Sequence, residues 1–297
     1  MKNNLKLLTF ILFFLLFQSC KKNEGEGNPE KITKDFSNNL NISILLDLSD
    51  RISPTKFPNQ TMEYYLRDVG YINSVAEAFK KHLSTKKVRQ ADDKIQLFFD
   101  PAPFNPKINK ISNDLKMEIN RNNISKEEIK KIKEKYTSES LEIYKLAIKD
   151  NNYVGSDTWK FFKNKINDYC IEENYRNILV VLTDGYIYFK NTKIQEGNMT
   201  TYLTPEIIRA NELNNVNWSK TMINKKIAFI PANTDLSKLD ILVLGINPNT
   251  KNVYEEDVIK AYWTNWFETM KVKRYEIYSS ELPSNMDKVI EKFINNK

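Results

Sequence analysis

Residues 42–51 read Ile42-Ser43-Ile44-Leu45-Leu46-Asp47-Leu48-Ser49-Asp50-Arg51, a short apolar run that breaks into carboxylates and a hydroxyl. A brief apolar run bounded by polar residues reads as a strand inside a sheet, so residues 42–47 are predicted as the first strand. Downstream the period changes. Met62, Tyr65, Leu66, Val69, Ile72, Val75, Ala76, Phe79 and Leu83 recur at helical spacing over 61–83. A second strand at 94–99 stops at the Pro-rich exit Asp100-Pro101-Ala102-Pro103.

Residues 177–182 are almost continuously apolar, the pattern of a strand covered on both faces. Further strands are predicted at 226–230, 240–246 and 274–278, and helices at 156–170, 255–270 and 286–294. In the helix at 255–270, Trp263 and Trp266 share a face with Val258, Ile259, Tyr262, Phe267 and Met270, and read as packing. Cys170 likewise reads as a buried packing residue. The segment from about 104 to 152 is rich in Lys, Glu and Asn, shows helical spacing and no evident strand, and reads as a helical insertion. Within it Ser125 precedes Glu128 at capping-box spacing, and the Lys/Glu run at 126–135 reads as a solvated face.

Strands that alternate with helices imply an α/β domain. Six strand candidates fit one doubly wound, mainly parallel sheet flanked by helices. Ligands of such sheets bind at the carboxyl ends of the strands, so the polar strand ends matter most.

Composition narrows the function classes. The 297 residues carry 45 Lys+Arg against 38 Asp+Glu, a mild excess spread along the chain and not a nucleic-acid footprint. Two Cys exclude a disulfide framework, and a single His excludes His-rich metal sites and argues against a His-based triad. That residue, His82, sits in Lys80-Lys81-His82-Leu83 near a predicted helix end and is expected to face solvent.

The N-terminus reads as an address. Lys2 and Lys6 precede an apolar run from Leu7 to Phe17, too short to span a bilayer but long enough for a signal-peptide core. The run ends in Leu16-Phe17-Gln18-Ser19-Cys20, which resembles a bacterial lipobox. The resemblance implies that residues 1–19 are removed and Cys20 is lipidated, with residues 20–40 as a polar tether and a domain over 41–297. The expected location is the bacterial cell envelope, membrane-anchored on the exported side. Which membrane and face is left open.

Three loops place short oxygen-bearing side chains at the strand ends: Asp47-Leu48-Ser49-Asp50-Arg51, Gly155-Ser156-Asp157-Thr158 and Thr183-Asp184-Gly185. Together they resemble the von Willebrand factor A (vWA) family, whose pattern is Asp-x-Ser-x-Ser, then a Thr within Gly-Gly-Thr-Asp, then Asp-Gly. The resemblance implies a metal-ion-dependent adhesion site. Carried over, Asp47, Ser49, Ser156 and Asp184 become ligands of Mg²⁺ or Mn²⁺, with Asp50, Arg51, Asp157 and Thr158 beside them. It also implies binding, without catalysis, of a protein or glycan partner whose acidic group completes the metal shell.

The chemistry suits a hard cation, which takes oxygen ligands and keeps some waters. Arg51, however, occupies the place of the second Ser, and a guanidinium has no lone pair to give. Either it points away, or it folds in and replaces the metal charge by pairing with Asp47 or Asp184.

Two other readings compete. A scaffolding lipoprotein would carry a dead, metal-free site and bind through the inserted helices. A phosphoester hydrolase resembling the haloacid-dehalogenase type would make Asp47 essential, but Ser49 stands where the second carboxylate of that type, its acid/base, belongs. No phosphate loop, dinucleotide fingerprint or Gly-x-Ser-x-Gly elbow is present in the sequence.

Overall fold

The computed structural model describes residues 38–153, 155–248 and 251–296. The signal segment, Cys20 and most of the tether lie outside the described residues. The seven residues of β1 (Leu40–Leu46) are all buried. They pair in parallel with β2 (Asp92–Phe99) on one side and with β4 (Arg176–Leu182) on the other. Strands β8 (Leu239–Ile246) and β9 (Arg274–Ser279) extend the sheet in parallel beyond β4, and β3 (Met117–Asn120) closes the opposite edge antiparallel to β2. The order β3-β2-β1-β4-β8-β9 is doubly wound, the vWA/Rossmann-like class that the sequence predicts.

Strand alternation divides the core in two. Ile42, Ile44 and Leu46 of β1 face α1 (Tyr64–Thr85), α3 (Lys126–Asp150) and α9 (Pro283–Asn295). Leu45, with Leu179 and Val181 of β4, faces the other layer, built from α4 (Thr158–Asn164), α5 (Ile166–Cys170) and α8 (Glu255–Thr269). Trp263 and Trp266 are fully buried there, and their indole N–H groups donate to the carbonyls of Gly185 and Ile230, at 2.9 and 3.0 Å. The Cys170 thiol is buried as well, and burial pushes it up to about 12.

The structure departs from the sequence reading at three places. The segment read as wholly helical contains α2 (Pro106–Asp114) and α3, but between them lies the edge strand β3. Four residues with only Ile119 buried give no apolar run to detect. The candidate at 226–230 leaves the main sheet. Lys226 is the left-handed cap of α7 (Trp218–Lys225), with φ 52°. Only β7 (Ala228–Phe229) remains extended, in a small sheet with β5 (Gln195–Glu196) and β6 (Met199–Thr200). In chain order α6 (Pro205–Ala210) lies between β6 and α7.

His82 is also not on the surface. Its side chain is 10% exposed, with Nε2 3.0 Å from Asp93 Oδ1. Asp93 further accepts from the Leu40 amide and from Lys86. Burial raises the Asp93 carboxyl, but those bonds prevail and hold it below the ordinary range.

Candidate functional site

β1, β4 and β8 end side by side, and the polar residues that follow them form one cleft. The Asp47 amide continues the ladder by donating to Leu182 O at 3.0 Å. Its carboxylate is engaged on both oxygens. Oδ1 accepts the Ser49 amide at 2.9 Å and Oδ2 accepts the Thr183 hydroxyl at 3.0 Å. Asp184 follows on β4's exit and accepts the Tyr186 amide at 3.1 Å, while its own carbonyl receives Asn247 N at 3.0 Å. The approach of β8 is close. At Gly245, φ is +103° and a Cβ would lie 2.9 Å from Thr183 O, so glycine is required there.

Asp47, Ser49, Asp50, Arg51, Ser156 and Asp184 all line this cleft. Ser156 is tied to the β4 side by its amide, which donates to Tyr188 O at 3.1 Å, and its hydroxyl bonds Thr158 Oγ1 at 3.0 Å. Asp157 serves a different purpose. Asp157 is buried as the N-cap of α4, accepting from Lys160 N and from the Thr192 hydroxyl. Burial raises its carboxyl above the ordinary range, against these bonds.

Arg51 folds inward. It lies in a 3-10 turn, Asp50–Ile52, and its side chain is 6% exposed. Nη2 donates to Asp68 Oδ2 at 2.6 Å and to Leu182 O at 2.9 Å, and Nε donates to Asp47 O at 3.2 Å. Nε also stands 3.5 Å from Asp47 Oδ2. Burial would strip the guanidinium of its proton, but Asp68 and Asp47 more than reverse that and hold it charged.

Asp68, on α1, and Tyr144, on α3, were not among the sequence candidates. The Tyr144 hydroxyl donates to Asp68 Oδ2 at 2.9 Å, so the guanidinium, carboxylate and phenol form one buried network. The available signal was a carboxylate between Arg67 and Val69 inside an otherwise apolar helix stripe.

The cleft's electrostatics are uneven. Arg51 serves Asp47 and Asp68, and Lys56 pairs with Asp50 at 3.1 Å. Asp184 is pushed up to about 7, first by burial and then by the neighbouring Asp47 charge, with Arg51 only partly offsetting them.

As a bed for a divalent cation, this donor set fits poorly. The position of the second Ser carries a cation of its own, and both Asp47 oxygens accept bonds from within the chain. Among the described residues, no group of three or more His, Cys, Asp or Glu side chains is placed to hold a metal ion.

No protein-family model matches this chain, and no curated protein matches its sequence. Among solved structures, it is similar to an aerotolerance-related membrane protein from Bacteroides fragilis, with 10% identity and a TM-score of 0.39 over 87% of this chain and 100% of that one. It is similar also to the pilus adhesin SpaC from Lactobacillus rhamnosus GG, with 9% identity and a TM-score of 0.38 over 87% of this chain and 30% of that one. A mutant of the PilB minor pilin from Streptococcus sanguinis gives 10% identity and a TM-score of 0.37, over 86% of this chain and 60% of the pilin. Likeness this shallow bears on neither activity nor partner. Among the described residues, no helix is long and apolar enough to cross a membrane.

Proposed function

We propose that this chain is a vWA-like binding module of the bacterial cell envelope, not an enzyme. It is held by lipid on Cys20 and engages its partner through the strand-end cleft, with Arg51 in the place of the divalent cation. The observation that carries this reading is the inward Arg51, bonded to Asp68, Leu182 O and Asp47 O. A fixed guanidinium supplies the positive charge that the clustered carboxylates need, and it supplies no open coordination position for an acidic partner group.

The non-enzymatic reading is supported by Ser49, which stands where a phosphatase of the haloacid-dehalogenase type carries its second, acid/base carboxylate. Location at the envelope rests on the lipobox-like sequence at 16–20 alone.

Calorimetric titration of the chain with Mg²⁺ and with Mn²⁺ tests the proposal, with Asp184→Ala as control. No saturable heat is expected from the folded wild type. Saturable binding that disappears in Asp184→Ala would return the site to a metal-dependent one and overturn this reading.

A further inference from the structure

The strand-end cleft holds more than the Arg51 network uses. It encloses about 820 Å³, within the range of pockets that bury a small ligand or an inserted side chain. Its lining joins two kinds of surface. Asp47 is buried and Asp184 half-buried, while the rings of Phe57 and Tyr188, each 44% exposed, stand open to solvent. Exposed aromatic rings that line a cleft offer apolar faces which a ligand can cover.

Charge within the cleft is not balanced. The single Arg51 charge is divided between Asp47 and Asp68, and Lys56 pairs at the surface with Asp50. Among the described residues, no ion pair reaches Asp184. This carboxyl is half-buried in the same cleft as the Asp47 carboxylate. A cation arriving from outside would relieve the repulsion between them. A neutral sugar would stack on the rings but leave the Asp184 charge uncompensated, and an acidic group would meet Asp47 and Asp184 directly.

Resting on the reading above, we propose that the cleft receives a lysine or arginine side chain, presented by an extended segment of a protein partner. Its charged head pairs with Asp184 beside Asp47, and its stem or guanidinium face lies against Phe57 and Tyr188. Both interactions have established strength: charge-assisted hydrogen bonds at a desolvated carboxylate and cation–π contact with an aromatic face. The polarity is the reverse of the metal-mediated mode, in which the partner brings the carboxylate.

The test titrates the full chain, in detergent micelles, with capped Gly-Lys-Gly and Gly-Arg-Gly peptides, and with capped Gly-Glu-Gly and a chito-oligosaccharide as comparators. Saturable binding of a cationic peptide is expected. Asp184→Asn should weaken it about tenfold, the worth of one such charge contact, and Tyr188→Ser about threefold. Tyr188→Ser alters an exposed ring, so it keeps the test decisive should Asp184→Asn fail to fold. Silence with both cationic peptides, equal binding of the glutamate peptide, binding of the oligosaccharide alone, or indifference to both substitutions would each overturn the inference. A Mg²⁺ titration of the same sample separates the two proposals. Saturable Mg²⁺ binding defeats the underlying reading, whereas silence toward Mg²⁺ and toward the cationic peptides defeats this inference alone.

Discussion

Arg51 and Asp68 meet at 2.6 Å between Nη2 and Oδ2, with 6% and 2% of their side chains exposed. The pair joins the loop after β1 to the first helix. Removing one member of such a pair strands the other charge in the interior, which costs about 3–5 kcal/mol. Arg51→Met is therefore expected to lower stability by that order in urea unfolding. Adding Asp68→Asn to it should recover part of the loss, because the orphaned charge goes too. Additive losses in the double variant would contradict the pairing.

Tyr144 extends the same network into α3 through its 2.9 Å bond to Asp68. Tyr144→Phe keeps the ring and deletes only the donor. The expected loss is about 1–2 kcal/mol, read from the denaturation midpoint with an unchanged slope. No change would mean that Arg51 alone satisfies Asp68.

Asp184 gives the fold a pH dependence of defined sign. Its carboxyl is raised to about 7 by burial, then by Asp47, against the opposing Arg51 charge and with a smaller push from Asp50. The folded chain therefore holds this proton more tightly than the unfolded chain. The associated stability is complete below the unfolded value near 4 and is lost as pH rises through about 7. Partial exposure screens the effect to about 1–2 kcal/mol. Asp184→Asn should be indifferent at acidic pH and more stable than wild type above neutrality. Thermal melts across that range check it, and parallel curves for the two proteins would refute it.

The helix that carries Tyr144 begins at a cap visible in the sequence. Ser125 accepts the Glu128 amide at 3.1 Å, as the Ser-x-x-Glu spacing implies. Ser125→Ala is expected to cost about 1 kcal/mol, measured by chemical denaturation, while Glu127→Ala in the same turn should cost less.

Legibility in the sequence followed burial. β1, β4 and β8 announce themselves because central parallel strands are apolar on both faces. β3 does not, since a four-residue edge strand needs only Ile119 inside. The run at 226–230 has the composition of a strand, and its exclusion from the main sheet depends on the left-handed turn at Lys226. The same limit applies at the site. Asp47, Ser49, Ser156 and Asp184 could be placed at one edge from local patterns, and they do line one cleft. The direction of Arg51 could not be read, because its partner Asp68 is a helix residue brought in only by packing. The burial of His82 is hidden from the sequence for the same reason. Its burial follows from Asp93, at the start of β2, turning in beneath the end of α1.

The most direct test of the central claim follows Arg51 itself, through the Nε–H resonance of its guanidinium in protein labelled with ¹⁵N-arginine and assigned with Arg51→Lys. If Arg51 stands where a cation would, this proton is protected from exchange by its bond to Asp47 O, and the signal stays fixed as Mg²⁺ is added. A saturable shift of that signal with Mg²⁺ would show that Arg51 yields the site to a metal, and its loss to rapid exchange would show that Arg51 is not held inward; either would contradict the account.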